Sequence, residues 1–177
     1  MSDSTVAIRK LKGGMVGMGM IFDETYRPFF ENAYQEGIYD PRTGVIKLEI
    51  AAVASRTGGR AARYKDAAGN QINDFASYIE PDSIGQLLNH DVDFVCVATP
   101  DDRHYEATMA AIDAGKHVII EKPSVLSMQQ LDSVIAAARN KQVLCKVVYH
   151  KLFDPDHKKL RTFVADNILQ HINTGYC

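Results

Sequence analysis

The second half of the chain alternates short apolar runs with segments of helical periodicity, and this alternation constrains the fold more than any other feature. The runs VDFVCVATP (92–100), HVIIEKP (117–123) and VLCKVVYH (143–150) predict strands. Helices are predicted between them over 101–116 and 127–142. Because repeated strand–helix–strand units pair their strands in parallel through right-handed crossovers, we predict an α/β fold with a doubly wound, mostly parallel sheet.

The first half of the chain predicts the same alternation less clearly. A glycine-rich run (13–19) precedes a helical segment (20–36) that Pro28 interrupts or restarts, and the segment 37–44 is predicted to be a loop by its Gly, Asp and Pro content. The remaining predictions are a strand over 45–56, a short helix over 58–68, a weak strand over 74–79, a short helix over 81–90 and a last helix over 154–167.

The composition is typical of a soluble globular domain and excludes several classes of protein. The 177 residues are 46% hydrophobic and 24% charged with a formal net charge of −2, so no basic excess indicates a nucleic-acid partner. No apolar run is long enough to cross a bilayer, and the N-terminal segment lacks the apolar core of a signal peptide. The three cysteines have neither paired nor metal-ligand spacing, and two lie in apolar runs. We therefore expect a cytoplasmic protein without a metal site.

Ligands of a doubly wound sheet bind at the carboxyl ends of its strands, so the residues that follow each strand are the candidates for function. The first strand is followed by two glycines spaced by one residue, which allow a tight turn and a close approach to a pyrophosphate at a helix N-terminus. Phe22 stands where the third glycine of the usual G-x-G-x-x-G would fall, so a turn that serves packing alone is the alternative. The predicted cofactor-binding residues of this turn are Gly17, Met18, Gly19, Met20 and Ile21.

The second strand ends in Ser55 and Arg56, where an NAD site commonly carries Asp or Glu to accept the ribose hydroxyls. A hydroxyl and a guanidinium suit a 2′-phosphate instead, which favours NADP over NAD. The alternative is a merely basic surface loop, since Arg60 and Arg63 follow closely.

Thr99 and Pro100 follow the next clear strand, and His104 lies in the first turn of the helix behind them. One of the two aspartates after the proline is predicted to cap that helix. The histidine side chain is expected near the cleft, and a packing or capping role is the alternative.

The last two strands also end in polar residues. Glu121, Lys122 and Pro123 combine an ammonium that can bind an anion or exchange a proton, a carboxylate that can orient it and a proline that restrains the backbone. A structural ion pair is the alternative. Tyr149 and His150 follow the final strand, where they are either contacts to a polar substrate or ordinary loop residues.

Together these strand ends resemble the glucose–fructose oxidoreductase, inositol dehydrogenase and rhizopine-catabolism (Gfo/Idh/MocA) family. The resemblance covers nearly the whole chain and is strongest over 92–124, in Ala-Thr-Pro, a histidine four residues after that proline, Ala-Gly-Lys-His-Val and Glu-Lys-Pro. It implies a Rossmann-like domain that binds NADP or NAD, with Thr99, Pro100 and His104 along the nicotinamide half. Lys122 is expected beside the nicotinamide and the substrate, where it assists proton transfer.

The resemblance also implies a function and a domain organisation. Family members are oxidoreductases that transfer hydride between a nicotinamide cofactor and a sugar, polyol or related small hydroxylated substrate. They usually continue into a second domain, so we expect a cofactor domain over 1–165 and the start of a truncated substrate domain over 166–177. A non-catalytic nucleotide-binding module or a regulatory subunit is the alternative, and a homo-oligomer is one of the assemblies left open.

Overall fold

The computed structural model describes residues 8–169, in which a sheet of seven strands is covered by helices. The strands are β1 (Arg9–Val16), β2 (Ile38–Asp40), β3 (Gly44–Ser55), β4 (Ala76–Ile79), β5 (Phe94–Val97), β6 (His117–Glu121) and β7 (Cys145–Val148). The helices are α1 (Arg27–Gln35), α2 (Gly59–Ala68), α3 (Ser83–Leu88), α4 (His104–Asp113), α5 (Met128–Lys141) and α6 (Pro155–Ala165). The chain divides into two compact units, the first reaching Val147 and the second beginning at Val148.

The order in which successive strands are added to the sheet reverses between β1 and β5. The order is β2-β3-β1-β5-β6-β7, and β4 also pairs with β3. The pairs β1–β3, β1–β5, β3–β4 and β5–β6 are all parallel, while β2 runs antiparallel to β3. The predicted doubly wound, mostly parallel sheet is confirmed, and the carboxyl ends of β1 and β5 lie side by side.

The core forms two layers because the central strands are buried on both faces. In β5, Val95 and Val97 pack in a cluster with residues of α3, α4 and α5, whereas Cys96 packs on the opposite face in a cluster with residues of α1 and α2. This explains why the sequence of β5 is continuously apolar. Cys96 is buried as predicted and Cys145 is half-buried, while Cys177 lies outside the described residues.

Two predictions for the first half of the chain require correction, one of a loop and one of a strand. The segment 37–44 is not wholly a loop, because Ile38–Asp40 pairs with the first residues of β3 across a tight turn. The first strand also begins earlier than the glycine-rich run, at Arg9. Its first four residues are polar or partly exposed, because β5 pairs with β1 only from Gly13 onward. They therefore form no apolar run from which a strand could be predicted.

The helix ends follow the sequence with one exception. Pro28 lies in the first turn of α1, which confirms the alternative that this proline starts a helix. Ser127 caps α5 by accepting a hydrogen bond from the Gln130 N–H at 3.2 Å. The predicted aspartate cap of α4 is wrong. The helix is entered through a 3₁₀ turn (Asp101–Arg103), and no side chain accepts a capping bond at its N-cap.

The second unit contains one α-helix within the described residues. A 3₁₀ turn over His150–Phe153 leads into α6, whose predicted range of 154–167 is nearly that observed. Asp154 caps this helix by accepting from the N–H groups of Asp156 and His157 at 3.0 and 3.2 Å. Those bonds favour the carboxylate and lower the pKa of Asp154 to about 2. The predicted start of a substrate domain over 166–177 falls largely on residues 170–177, outside the described part.

Candidate functional site

A cleft of about 1260 Å³ opens at the carboxyl ends of the strands, at the point where the strand order reverses. In open α/β sheets this crevice is where ligands bind. Nine of the residues predicted from the sequence line it, namely Gly17, Met18, Gly19, Met20, Ile21, Ser55, Arg56, Thr99 and Pro100. Residues from three separate strand ends, those of β1, β3 and β5, therefore meet around one cavity.

The backbone of Gly17 packs where no side chain could fit. Its φ is +91°, and a Cβ built on it would lie 2.5 Å from the carbonyl oxygen of Ala98, at the end of β5. Its N–H donates to the Ala54 carbonyl oxygen at 2.9 Å, at the end of β3. Gly17 thus joins the ends of three neighbouring strands, and this close packing requires glycine.

Gly19, unlike Gly17, has open space where a side chain would lie. A Cβ at this position would meet no heavy atom within 4 Å, and its φ does not fall in the left-handed region. The residue lines the cleft without being needed by the local packing. Its missing side chain therefore leaves room for a ligand to approach the backbone, as a pyrophosphate requires.

Phe22 does not obstruct the cleft, although it replaces the expected third glycine. Its ring is 1% exposed and packs edge-on against the ring of Tyr64, with centroids 5.1 Å apart. A π-helical turn over Phe22–Tyr26 separates the glycine turn from α1. The aromatic side chain is thus part of the core, and the glycine turn remains free to meet a diphosphate.

The basic side of the cleft is the loop between β3 and α2. The Ser55 Oγ accepts a hydrogen bond from the Gly58 N–H at 3.1 Å, which closes the loop and leaves the hydroxyl proton available. Arg56 and Arg63 line the cleft, and neither forms an ion pair with another described residue. Arg60 instead holds Asp23 at 3.0 Å. Two guanidinium groups are therefore free for an anion here.

The acidic side of the cleft is not among the predictions from the sequence. Its lining includes Glu80, Asp82, Asp102 and Glu106, with Arg103 bonded to Glu80 at 3.3 Å. These residues follow β4 and begin α3 and α4. The rule that ligands meet strand ends, applied to the weak strand predicted over 74–79, could have found the first two.

The end of β6 lies one strand beyond the cleft, and its residues do not line the cleft. Glu121 is 5% exposed and accepts from the Tyr26 Oη at 2.9 Å, while Lys122 and Pro123 are exposed. Burial and the nearby Cys96 and Glu121 raise the pKa of the Tyr26 hydroxyl. The alternative of an ion pair between Glu121 and Lys122 is not observed, so the ammonium is free to meet a ligand.

His104 is buried rather than facing the cleft. Its ring is 1% exposed, with Nδ1 2.7 Å from the Pro123 carbonyl oxygen and Nε2 2.9 Å from the Thr99 carbonyl oxygen. The ring thus connects the ends of β5 and β6. Its predicted contact with a cofactor stays a prediction.

Tyr149 and His150 belong to the second unit, and their predicted role toward a substrate stays a prediction. Among residues 8–169 no group of three or more His, Cys, Asp or Glu side chains could hold a metal ion. No helix in that range combines the length and apolar character needed to cross a bilayer.

A known protein family matches most of this chain. The model of an oxidoreductase family with an NAD-binding Rossmann fold, Gfo/Idh/MocA, matches residues 11–149. The chain belongs to this family. The family resemblance and the Rossmann-type fold predicted from the sequence are confirmed, and the chain is an NAD(P)-binding oxidoreductase domain of this family.

Curated relatives and solved structures agree with this assignment. The chain is 37% identical over 83 residues to scyllo-inositol 2-dehydrogenase (NADP(+)) of Bacillus subtilis, covering 47% of this chain and 23% of the relative. It is 32% identical over 118 residues to 1,5-anhydro-D-fructose reductase of Ensifer adhaerens, covering 67% and 34%. The 3-ketoreductase KijD10 of Actinomadura kijaniata, solved with NADP and TDP-benzene, has a TM-score of 0.72 at 26% identity, covering 90% and 43%. The chain thus spans less than half the length of these relatives.

Proposed function

We propose that this Gfo/Idh/MocA domain binds NADP in preference to NAD. The observation that carries the proposal is the pair Ser55 and Arg56 at the end of β3, where a hydroxyl and an unpaired guanidinium line the cleft and no carboxylate follows the strand. A carboxylate here would accept ribose hydroxyls and repel a 2′-phosphate. The free Arg63 adds positive charge to the same loop side. Relatives whose names or crystals include NADP support this choice.

Each part of the cleft has a definite task in this proposal. The backbone of the turn 17–21 holds the pyrophosphate, and Ser55 and Arg56 hold the 2′-phosphate on the adenosine ribose. Thr99 and Pro100 lie along the nicotinamide half. The cofactor, when bound, supplies the carbon that donates or accepts hydride.

We further propose that the whole protein oxidises or reduces a hydroxyl-bearing carbon of a sugar, polyol or related small substrate. The names of the inositol dehydrogenase and anhydrofructose reductase relatives support this substrate class. The exposed Lys122 then holds the reacting oxygen and moves a proton to or from it, with Tyr149 and His150 as further substrate contacts. In this proposal the substrate domain begins near residue 166.

The decisive experiment is a fluorescence titration of the chain with NADPH and NADH. Arg56→Ala should weaken NADPH binding roughly 10- to 100-fold, because it removes a charge-assisted hydrogen bond, and should leave NADH binding nearly unchanged. Arg42→Ala is the matched control, since Arg42 is 87% exposed and lies outside the cleft. Equal losses for both cofactors in Arg56→Ala would contradict the phosphate assignment. Cofactor binding without turnover on a polyol panel would favour a non-catalytic module.

A further inference from the structure

Glu121 is an unusual buried carboxylate, because no described cation is paired with it. One oxygen accepts from the Tyr26 Oη at 2.9 Å, and the other lies 3.4 Å from the backbone N of Lys122. A buried carboxylate is costly unless its oxygens are hydrogen-bonded. The Tyr26 hydroxyl therefore holds Glu121, and through it the backbone that carries Lys122.

Tyr26 comes from the element that follows the cofactor turn directly. It is the last residue of the π-helical turn that separates Gly19 from α1, and it is separated from Glu121 by 95 positions in the sequence. Turns of the π type are rare and occur frequently at functional sites. The contact thus connects the glycine side of the cleft to the end of β6.

His104 restrains the same segment from its other side. Both ring nitrogens lie within hydrogen-bond distance of carbonyl oxygens, those of Pro123 at 2.7 Å and Thr99 at 2.9 Å. A carbonyl oxygen only accepts, so a ring N–H is the donor to it. One buried side chain thereby ties the residue after Lys122 to Thr99, which lines the cleft.

We propose that Tyr26 and His104 are positioning residues that hold the Glu121–Pro123 segment, and hence Lys122, at a defined place beside the cofactor cleft. The Lys122 side chain is exposed and long, so its direction depends on the backbone from which it starts. That backbone is anchored on one side through Glu121 and on the other through Pro123. The role of Lys122 in chemistry rests on the proposed function, whereas the anchoring does not.

Tyr26→Phe tests the first anchor because it removes only the hydroxyl. Loss of one buried hydrogen bond should speed hydrogen exchange of the Glu121 and Lys122 amides roughly tenfold relative to the amide of Val97 in β5. Tyr64→Phe is the matched control, since Tyr64 is buried to a similar degree in the same core cluster and lies away from β6. Equal exchange at Glu121 and Lys122 in the two variants would overturn the proposal.

Two substitutions of His104 test the second anchor. His104→Gln keeps an N–H donor, whereas His104→Leu keeps the approximate volume and no donor. Exchange at Lys122 should rise in the order wild type, Gln, Leu, after normalisation to Val97. No difference between Gln and Leu would mean that the ring serves packing alone and would overturn the assignment of His104.

A titration with NADPH in the same samples separates this inference from the proposed function. Acylation of the Lys122 amine, followed by mass spectrometry, should be slowed by NADPH in the wild-type chain and less so in Tyr26→Phe. If the wild type does not bind NADPH while Tyr26→Phe still loosens Lys122, the anchoring stands and the proposed function fails. If NADPH binds and protects Lys122 equally in both Phe variants, the anchoring fails and the proposed function stands.

Discussion

The two sides of this site are built from different physical interactions. On the side of β1 and β3, the charged groups at the cleft are exposed, as is Arg60, which pairs with Asp23 outside the cleft lining while both side chains are about half exposed. On the side of β5 and β6, the polar groups Glu121 and His104 are almost completely buried and hydrogen-bonded. The first arrangement suits recognition of a charged ligand, and the second suits accurate placement of a reacting group.

The energetics support this division. An exposed ion pair contributes about 0–1 kcal/mol and is screened by salt, so such charges can be changed without loss of the fold. A buried polar group that loses its partner costs about 1–3 kcal/mol. We therefore expect substitutions on the first side to alter cofactor affinity, and substitutions on the second side to alter geometry and stability.

The largest expected effect concerns Cys96, which lies in the buried side next to Glu121. Alkylation of Cys96 in the folded chain should be at least about a thousandfold slower than in denaturant, because the thiol reacts only when the core opens. Cys145 is half-buried and should react faster. Peptide mass spectrometry after timed labelling distinguishes the two sites, and comparable rates would show that the buried side admits solvent.

The same buried thiol should make the folding stability of the domain depend on pH. Burial and the charge of Glu121 raise the pKa of Cys96 above its ordinary value. The unfolded chain therefore releases this proton at lower pH than the folded chain does. The protonated Cys96 thiol contributes fully to folding stability below the ordinary thiol pKa, and this contribution decreases as the pH rises above that value. Cys96→Ala should therefore reduce the fall in melting temperature at alkaline pH.

The next prediction separates the two glycines of the turn after β1. Gly17→Ala should destabilise the domain by about 3 kcal/mol, because it combines a left-handed backbone with overlap of Cβ and the Ala98 carbonyl. Gly19→Ala should change the free energy of unfolding by less than about 1 kcal/mol while weakening NADPH binding. Urea unfolding and cofactor titration measure the two effects, and equal destabilisation by both substitutions would contradict the distinction.

The smallest expected effect belongs to Asp23. Asp23→Asn should tighten NADPH binding about two- to fourfold, because it releases Arg60 from an exposed ion pair of under about 1 kcal/mol. NADH binding should hardly change. Asp66→Asn alters the net charge equally from α2 without lining the cleft and serves as the control. Equal tightening by both variants would indicate a general charge effect.

The parts of the site that the sequence predicted depend on one topological rule. Parallel strands deliver their carboxyl ends to one edge, so Gly17, Arg56 and Thr99 could be placed together without knowledge of any contact. The predictions that failed concern pairing or capping geometry. Ile38–Asp40 is recognised as a strand only because β3 offers it an edge, and the 3₁₀ entry to α4 depends on the Arg103 N–H donating to the Pro100 carbonyl oxygen at 2.9 Å.

The sequence by itself determined the layered α/β fold, the family and nine of the residues around the cleft, because periodicity, glycines and strand-end residues are local features of the chain. Only the tertiary structure decided that Phe22 points into the core, that Arg60 is held by Asp23, and that Tyr26 reaches Glu121. These contacts join residues 37 to 95 positions apart. Which residues meet in these contacts depends on how the helices pack across the sheet, and no local sequence pattern predicts that packing.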